Sequence, residues 1–436
     1  MNKFFIAAIA AFTLLASCSN EETGVTPQNG DDTYAGLVIT LPAQTRAEDA
    51  AAASDVEKAI NTIGVYIVDQ ATNELHSKVL TSSEFQLDGA VYKAKAAVKT
   101  TLGTKTVYVV ANPTAALTTK LSQLGANAFT NILTMTDADF WTSNDMVMTG
   151  QSTATLTDAK NATEALQDGN LVAVTIDRVL AKVVVKFKTA TPTVTGGGTS
   201  SNQQFAPITK ALGAYLMPRT GTDKPAYYTV PTAAETDATH TYFSNFSALQ
   251  ADPSEYVGVN AYNVATKDAV GFYCHEHYAS KLLTGNTTAA RIKAKFTPSE
   301  VVTSYDKTTG VRGTGTMSGN GDFYVLKTEG TYWNQTAYNN ATTATDPAYK
   351  IDASLFSDKY VGGIGYYKIF VQDAASVKAV KRNLYYELTI TEIRGPGSPT
   401  EDDDDDKDIE IQDDTYVAVS VSVKHWDLQQ SEHIIQ

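Results

Sequence analysis

Residues 383–392 read NLYYELTITE, and side chains of two kinds alternate along them. One face carries Leu384, Tyr386, Leu388 and Ile390, and the other carries Tyr385, Glu387, Thr389 and Thr391. A period of two residues is typical of an extended strand with one buried face. The following run 393–399, IRGPGSP, ends the pattern with turn-forming residues. This stretch therefore predicts a β-strand with one core-facing side.

Segments of the same kind recur along the chain. They are short, rich in Val, Thr and Tyr, and bounded by Gly, Asn, Asp, Thr or Pro, as expected for strands joined by loops. The predicted strands are residues 34–42, 63–68, 106–110, 171–176, 179–187, 214–217, 271–274, 290–296, 323–326, 366–371, 383–392 and 415–424. Residues 158–166 offer a short helical possibility in a mixed region. We therefore expect a mainly β protein.

Residues 189–204 interrupt this pattern. They consist largely of Thr, Pro, Gly and Ser and include Gly196-Gly197-Gly198. Such a composition predicts a linker, and a chain of 436 residues is long enough for more than one domain. We predict one β-sandwich domain over residues 47–188 and a second over residues 205–436.

An apolar stretch lies near the first residue. Lys3 precedes the run 4–15, which is too short to be a stable membrane span. Leu15-Ala16-Ser17-Cys18 then sets small residues before a cysteine, the pattern that a lipoprotein signal peptidase recognises. We expect a signal peptide over residues 1–17 and a lipidated Cys18; the alternative is an ordinary secretory leader with an incidental cysteine. The polar residues that follow, up to Asp32, predict a tether.

Charge and cysteine content narrow the classes of partner. The chain has 34 basic and 48 acidic residues and a net charge of −14, which argues against a nucleic-acid partner. With Cys18 lipidated, Cys274 would be left alone and could form no intramolecular disulfide. Stability must then come from packing or from neighbouring subunits.

Three features could bind ligands, and each has a plainer interpretation. His275-Glu276-His277 sets two imidazoles at a spacing that can chelate zinc, although no third ligand is identifiable. The acidic run Asp402–Asp406 offers oxygen ligands to calcium, but its unbroken spacing favours a solvated hairpin tip. Trp141 and Trp333 could stack on sugars, while core packing explains them better.

Motifs of catalysis are missing from the sequence. There is no G-x-S-x-G, no P-loop and no H-E-x-x-H, and the six histidines are scattered. We therefore predict that the chain is not an enzyme and carries no cofactor and no metal.

Several segments together carry a family resemblance. They are the lipobox ending at Cys18, the strand-then-Arg46 junction, residues 107–113 (VYVVANP), residues 178–183 (RVLAKV), residues 383–391 leading into Gly395-Pro396-Gly397, and the terminal Val-rich strand with Trp426. In this order the chain resembles the fimbrillins of type V pili, in their major-subunit branch. The resemblance spans nearly the whole chain and implies two transthyretin-like β-sandwich domains in tandem.

The resemblance also implies a maturation pathway. In that family a lipidated precursor is exported, an Arg-specific protease removes the amino-terminal segment with its first strand, and a strand from the next subunit fills the groove by β-augmentation. Carried onto this sequence, residues 18–46 form the propeptide and cleavage falls between Arg46 and Ala47. The removable strand would contain Tyr34, Leu37, Ile39 and Leu41. The donor strand would contain Val417, Val419, Val421, Val423, Trp426, Leu428 and Ile434.

The limits of the donor stay open at this stage. Residues 417–423 either enter the neighbouring subunit or form an ordinary strand of the second domain, in which case only the stretch from Trp426 onward is donated.

The leading hypothesis is a stalk subunit of a cell-surface fimbria that supports adhesion or biofilm formation. Its expected partners are copies of itself, tip and anchor fimbrial subunits, the Arg-specific protease, and the outer membrane through the lipid of the precursor. The expected location is the outer membrane or cell surface, and then the fimbrium. The alternatives are a tip or anchor subunit, or a monomeric surface lipoprotein that binds glycans through an exposed Trp such as Trp333.

Overall fold

The structure is a computed structural model. It describes residues 31–41, 50–52, 55–89, 91–130, 134–135, 139, 145–167, 170–189, 192–221, 224–228, 251–259, 271–278, 283–371, 379–401 and 417–427. Several sequence predictions lie outside these residues, namely Cys18, Arg46, Ala47, Trp141, Asp402–Asp406, Leu428 and Ile434.

The first half of the chain contains the following elements. The strands are β1 (Asp32–Thr40), β2 (Ala50–Ala52), β3 (Thr62–Asp69), β4 (Leu75–Thr81), β5 (Phe85–Asp88), β6 (Val91–Ala94), β7 (Val98–Thr101), β8 (Gly103–Ala111), β9 (Thr134–Met135), β10 (Met148–Leu156), β11 (Leu171–Thr175), β12 (Asp177–Arg178) and β13 (Leu180–Phe187). The helices are α1 (Asp55–Lys58), α2 (Ala115–Leu124), α3 (Asn127–Thr130) and α4 (Ala162–Gln167).

The second half has one α-helix among the described residues. The strands are β14 (Gly198–Ile208), β15 (Ala214–Tyr215), β16 (Arg219–Gly221), β17 (Lys224–Tyr228), β18 (Val257–Gly258), β19 (Gly271–His275), β20 (His277–Tyr278), β21 (Ala289–Pro298), β22 (Val301–Tyr305), β23 (Arg312–Gly315), β24 (Tyr324–Leu326), β25 (Thr331–Trp333), β26 (Ile364–Phe370), β27 (Ala379–Val380), β28 (Leu384–Ile393) and β29 (Val417–Asp427). The α-helix is α5 (Gln335–Thr342), and short 3-10 turns lie at Pro253–Glu255, Ala353–Leu355 and Val361–Gly363.

Two sheets of the first half form a sandwich. Sheet I has the order β11-β1-β6-β5, with β7 also paired to β1, and sheet II has the order β12-β10-β8-β3-β4. Alternate residues of both sheets meet in one core, for example Ile39 and Val174 from sheet I and Ile63 and Val109 from sheet II. Successive side chains of a strand point to opposite faces of its sheet, so every second residue of these strands faces the core between the two sheets.

A second sandwich has its own core. Sheet III has the order β19-β13-β28-β29-β2, and sheet IV has the order β18-β14-β21-β26. Val183 and Leu388 of sheet III pack in the same cluster as Ile292 and Tyr367 of sheet IV. The prediction of a mainly β fold is therefore confirmed, and the sheets are arranged as two packed pairs.

Sheets II and III also pack against each other. Tyr108 and Val110 of β8 share a cluster with Leu180 and Val184 of β13 and with Tyr385 of β28. Strand β28 is consequently buried on both faces over part of its length, and not on the single face that its alternation predicted. Glu387, on the same side as Tyr385, is also buried and pairs with Lys186 at 2.7 Å.

The predicted strand positions are largely confirmed, but the strand partners differ from the predicted division of the chain. Strand β13 lies before the predicted boundary at residue 188, yet it pairs in parallel with β28 and antiparallel with β19 of the second half. Strand β14 overlaps the predicted linker 189–204. A hydrophobic pattern shows which face of a strand is buried and not which strand it joins, so these partners were not predictable. The domain limits themselves stay predictions.

A smaller sheet with the order β23-β22-β25-β24 packs on helix α5. Trp333 lies at the centre of this cluster with 0% exposure, and its indole nitrogen donates to Thr331 Oγ1 at 2.9 Å. The hypothesis that Trp333 is an exposed sugar-stacking residue is therefore wrong. Among the described residues, no helix is both long and apolar enough to span a membrane.

Candidate functional site

Strand β1 lies inside sheet I and not at its edge. Strand β11 pairs with it in parallel, with Gly36 opposite Leu171 and Thr40 opposite Thr175. Strand β6 pairs antiparallel with residues 38–40, and strand β7 pairs antiparallel with residues 32–35. The strand that precedes the predicted cleavage site is therefore an internal strand of the first sandwich.

One face of β1 points into the core of the first sandwich. Leu37 is 3% exposed and Ile39 is 1% exposed, and Ala35 is also buried. Leu41, which the sequence placed in this strand, follows its last residue and is only partly buried against the core. Tyr34 lies on the opposite face and is half-buried. Burying a Leu or Ile side chain contributes about 1.5–3 kcal/mol, so this face holds β1 firmly.

Polar contacts anchor the first residues of β1. Thr33 is fully buried, donates to the carbonyl of Thr157 at 2.8 Å and accepts from the amide of Ala159 at 2.9 Å. The side-chain amide of Asn170 donates to the carbonyl of Tyr34 at 2.9 Å, and its oxygen accepts from the amide of Thr157 at 2.9 Å. Loss of β1 would remove the acceptor of the Ala159 amide, which is unfavourable, whereas Asn170 would keep its hydrogen bonds to Thr157. The sequence did not single out Thr33 or Asn170, because nothing in a local pattern marks a contact between residues so far apart.

The terminal strand β29 lies in the other sandwich. It pairs antiparallel with β28, from Leu384 opposite His425 to Ile393 opposite Val417. Its last residues also pair in parallel with β2, with Ala51 opposite Trp426. The predicted donor residues from Val417 to Trp426 thus form a regular strand of sheet III here. The structure does not bring them next to β1.

The chain after the predicted cleavage site contacts both sandwiches at Glu57. The carboxylate of Glu57, in α1, is buried and accepts from Lys182 Nζ at 2.6 Å and from the hydroxyl of Tyr273 at 2.5 Å. Burial and this carboxylate raise the pKa of Tyr273, so its hydroxyl stays protonated. Arg178 Nε donates to the carbonyl of Glu57 at 3.0 Å. The side chain of Glu57 is thus held by sheet III of the second sandwich, whereas its backbone carbonyl is held by Arg178 of sheet II in the first.

The two histidines of the candidate metal site, His275 and His277, lie on either side of a buried ion pair. His275 and His277 are both buried, and Glu276 between them forms an ion pair with Arg382. Burial raises the pKa of Glu276 to about 7, against the opposing effect of Arg382, and lowers the pKa of His277 to about 4. Arg382 also donates to the carbonyls of Tyr215 and Leu216 at 2.8 and 3.0 Å. Across the described part of the chain, no group of three His, Cys, Asp or Glu residues is placed to hold a metal ion.

Two solved structures are similar to this chain. A proposed cell adhesion protein from Parabacteroides distasonis is 13% identical, with a TM-score of 0.52 over 91% of this chain and 100% of that chain. A fimbrilin from Porphyromonas gingivalis is 16% identical, with a TM-score of 0.47 over 90% of this chain and 98% of that chain. At such identities the first of these similarities shows the fold alone. No curated protein matched the sequence.

Two family models match the sequence. The model described as major fimbrial subunit protein (FimA) matches residues 35–209, which begin within β1 and include the whole of sheet II. The model described as major fimbrial subunit protein type IV, fimbrillin, C-terminal, matches residues 358–432, which include β28 and β29. Together they cover more than half of the chain, including β29 and all but the first three residues of β1. The resemblance drawn from the sequence is thus confirmed, and the chain belongs to the family of major fimbrial subunit proteins, the fimbrillins.

Proposed function

We propose that this protein is a structural stalk subunit of a cell-surface fimbria and that it polymerises by strand exchange. Proteolysis after Arg46 removes β1, and the terminal segment of a neighbouring copy takes its place. The observation that carries this proposal is the position of β1, which comes from the start of the described chain and yet is an internal strand of sheet I. An internal strand that leaves exposes backbone donors and acceptors beside apolar core, so its place must be refilled.

The terminal segment is the donor in this proposal. For all of β29 to leave sheet III, the nine residue pairs that it forms with β28 would have to open. The segment after Asp427, which contains Leu428 and Ile434, follows this ladder in the sequence. We therefore propose that this segment enters the neighbouring groove first and that residues 417–426 follow only if exchange continues.

The precursor is proposed to reach the cell surface as a lipoprotein acylated at Cys18. Two or more acyl chains anchor a protein stably to a membrane, at about 0.8 kcal/mol per buried CH2 group. Cleavage between Arg46 and Ala47 by an Arg-specific protease then separates the subunit from this anchor. Tip and anchor subunits are the other expected partners, and a filament of these subunits would support adhesion or biofilm formation.

The amino terminus of surface-extracted protein tests the proposal. Mass spectrometry should find a chain that begins at Ala47, and an unboiled gel should show a ladder that collapses to one band on boiling, since strand-exchanged subunits separate slowly. A matched Arg46→Ala chain should keep its lipid and run as a single band under both conditions. Purified filaments that still contain residues 18–46 would contradict the proposal.

A further inference from the structure

Helix α4 crosses the outer face of β1 at Gly36. A β-carbon built on Gly36 would lie less than 3.0 Å from the carbonyl oxygen of Ala165 and 3.1 Å from Leu171 Cδ1. The main obstacle is therefore backbone, which cannot rotate aside as a side chain can. Gly36 has no positive φ, so it is required here by the close approach of α4 and not by an unusual backbone conformation.

Both sides of this contact are held in place. The amide of Gly36 donates to the carbonyl of Asn170 at 2.9 Å, which fixes the strand. Asn161 Oδ1 accepts from the amides of Thr163 and Glu164 at 3.0 Å each, and Glu164 Oε2 accepts from the amide of Lys160 at 2.8 Å, which caps the helix. Ala165 itself is fully buried. The close approach of α4 to Gly36 is thus fixed by hydrogen bonds on both sides.

The terminal segment cannot match this feature. Residues 417–436 contain no glycine, and the smallest side chains at alternate positions of the Val-rich part are Ala418, Ser420 and Ser422. Whichever residue of this segment came to lie opposite Ala165 would carry a β-carbon. Ordinary contact requires about 3.4 Å, so α4 would have to move outward before the segment could settle.

We infer that Gly36 makes the β1 groove selective for its own strand and that α4 is displaced when a donor segment enters. This inference rests on the proposed function. With Gly36 in place the uncleaved subunit resists exchange, because the competing strand fits less well. After cleavage β1 is gone, the groove accepts the donor with α4 moved outward, and α4 is less protected in the filament than in the precursor.

Hydrogen exchange of the full chain tests the inference. In Gly36→Ala, the amides of Ala162–Gln167 should exchange at least about tenfold faster than in wild type, since the added methyl group forces α4 outward. Val38→Ala is the matched control, because Val38 lies on the same outer face of β1 and is half-buried. The control should leave α4 exchange within about twofold of wild type. Equal α4 exchange in wild type and Gly36→Ala would overturn the inference.

Synthetic peptides give a second measurement that does not need Gly36→Ala to fold. Wild-type chain cut after Arg46 is incubated with a peptide of residues 32–41 or with the same peptide carrying Gly36→Ala. The glycine peptide should dissociate at least about tenfold more slowly. Equal dissociation would overturn the inference. Retention of the glycine peptide without any uptake of a peptide of residues 417–436 would leave the selectivity standing and refute the proposed donor.

Discussion

Strand β1 and strand β29 are the first and the last strand of the described chain in sequence, and they are held in different ways. β1 is paired along both edges, its inner face lies in the core of the first sandwich, and α4 covers its outer face at Gly36. β29 is paired with β28 from Val417 to His425, and β2 pairs with just its last three residues. A strand enclosed on all sides cannot leave while the chain is intact, whereas a strand with one full ladder can open from its end.

The difference explains why cleavage would act on β1 in particular. Glu57 fixes the chain after the predicted cut to the second sandwich, through Lys182 and Tyr273. Once the peptide bond after Arg46 is broken, only noncovalent contacts would join β1 to the remainder of the subunit.

Removing β1 should have the largest effect. A chain that lacks residues 32–41 is expected to aggregate, because the core of the first sandwich and the edges of β11 and β6 would be exposed. A synthetic peptide of residues 32–41 added during refolding should restore the soluble fraction, measured by size-exclusion chromatography. A control peptide with Leu37→Asp and Ile39→Asp should not rescue the chain. If the chain without residues 32–41 were a soluble monomer in the absence of any peptide, β1 would not be needed to complete the first sandwich.

Glu57→Gln should weaken the attachment of the segment after the cut. The substitution removes the charge of Glu57 from its ion pair with the nearly buried ammonium of Lys182, and breaking such a pair costs about 3–5 kcal/mol. Urea unfolding of the second sandwich measures the loss. Lys58→Gln, one residue later and half-buried, is the control and should change stability by less than about 0.5 kcal/mol. Equal effects of the two substitutions would show that Glu57 does not anchor this segment.

Ile39→Ala should distinguish the precursor from the filament. In the precursor the substitution opens a cavity beside Val174 and Ile63 and should cost about 2–5 kcal/mol of unfolding free energy. In the filament it should have no effect, since β1 has been removed. Leu388→Ala in β28 is the control, because this residue is fully buried in the second sandwich and should destabilise both forms. Destabilised filaments of Ile39→Ala would mean that β1 had stayed in place.

Acidification should weaken the first sandwich through Asp69, with a smaller effect. A hydrogen bond from the buried ammonium of Lys105 lowers the pKa of Asp69 from 3.8 to about 2. A depressed carboxyl pKa stabilises the fold above pH 3.8, and this stabilisation is lost as the pH falls from 3.8 towards 2. The midpoint of thermal unfolding of wild type should fall over this pH range, and it should fall less in Asp69→Asn, which has no carboxyl group to protonate at this position. Identical pH profiles would contradict the assignment.

The sequence predicted some of these features and missed others for physical reasons. The alternation in residues 383–392 correctly located β28, and the apolar run from Tyr34 located β1 to within two residues at its start. These predictions succeed because strand periodicity is a local property. The partner of β13, the second buried face of β28 at Tyr385, and the approach of α4 to Gly36 depend on residues far away in the chain. No local pattern encodes them.

Amide hydrogen exchange of β11, residues Leu171–Thr175, tests the central claim most directly. This strand borders β1, and its amides report whether the groove is occupied. The measurement compares the precursor, the subunit cut after Arg46 and held as a monomer, and the assembled filament. Strand exchange predicts strong protection in the precursor, loss of protection in the cut monomer and its return in the filament. Protection that is unchanged by the cut, or that does not return on assembly, would contradict strand exchange at this groove.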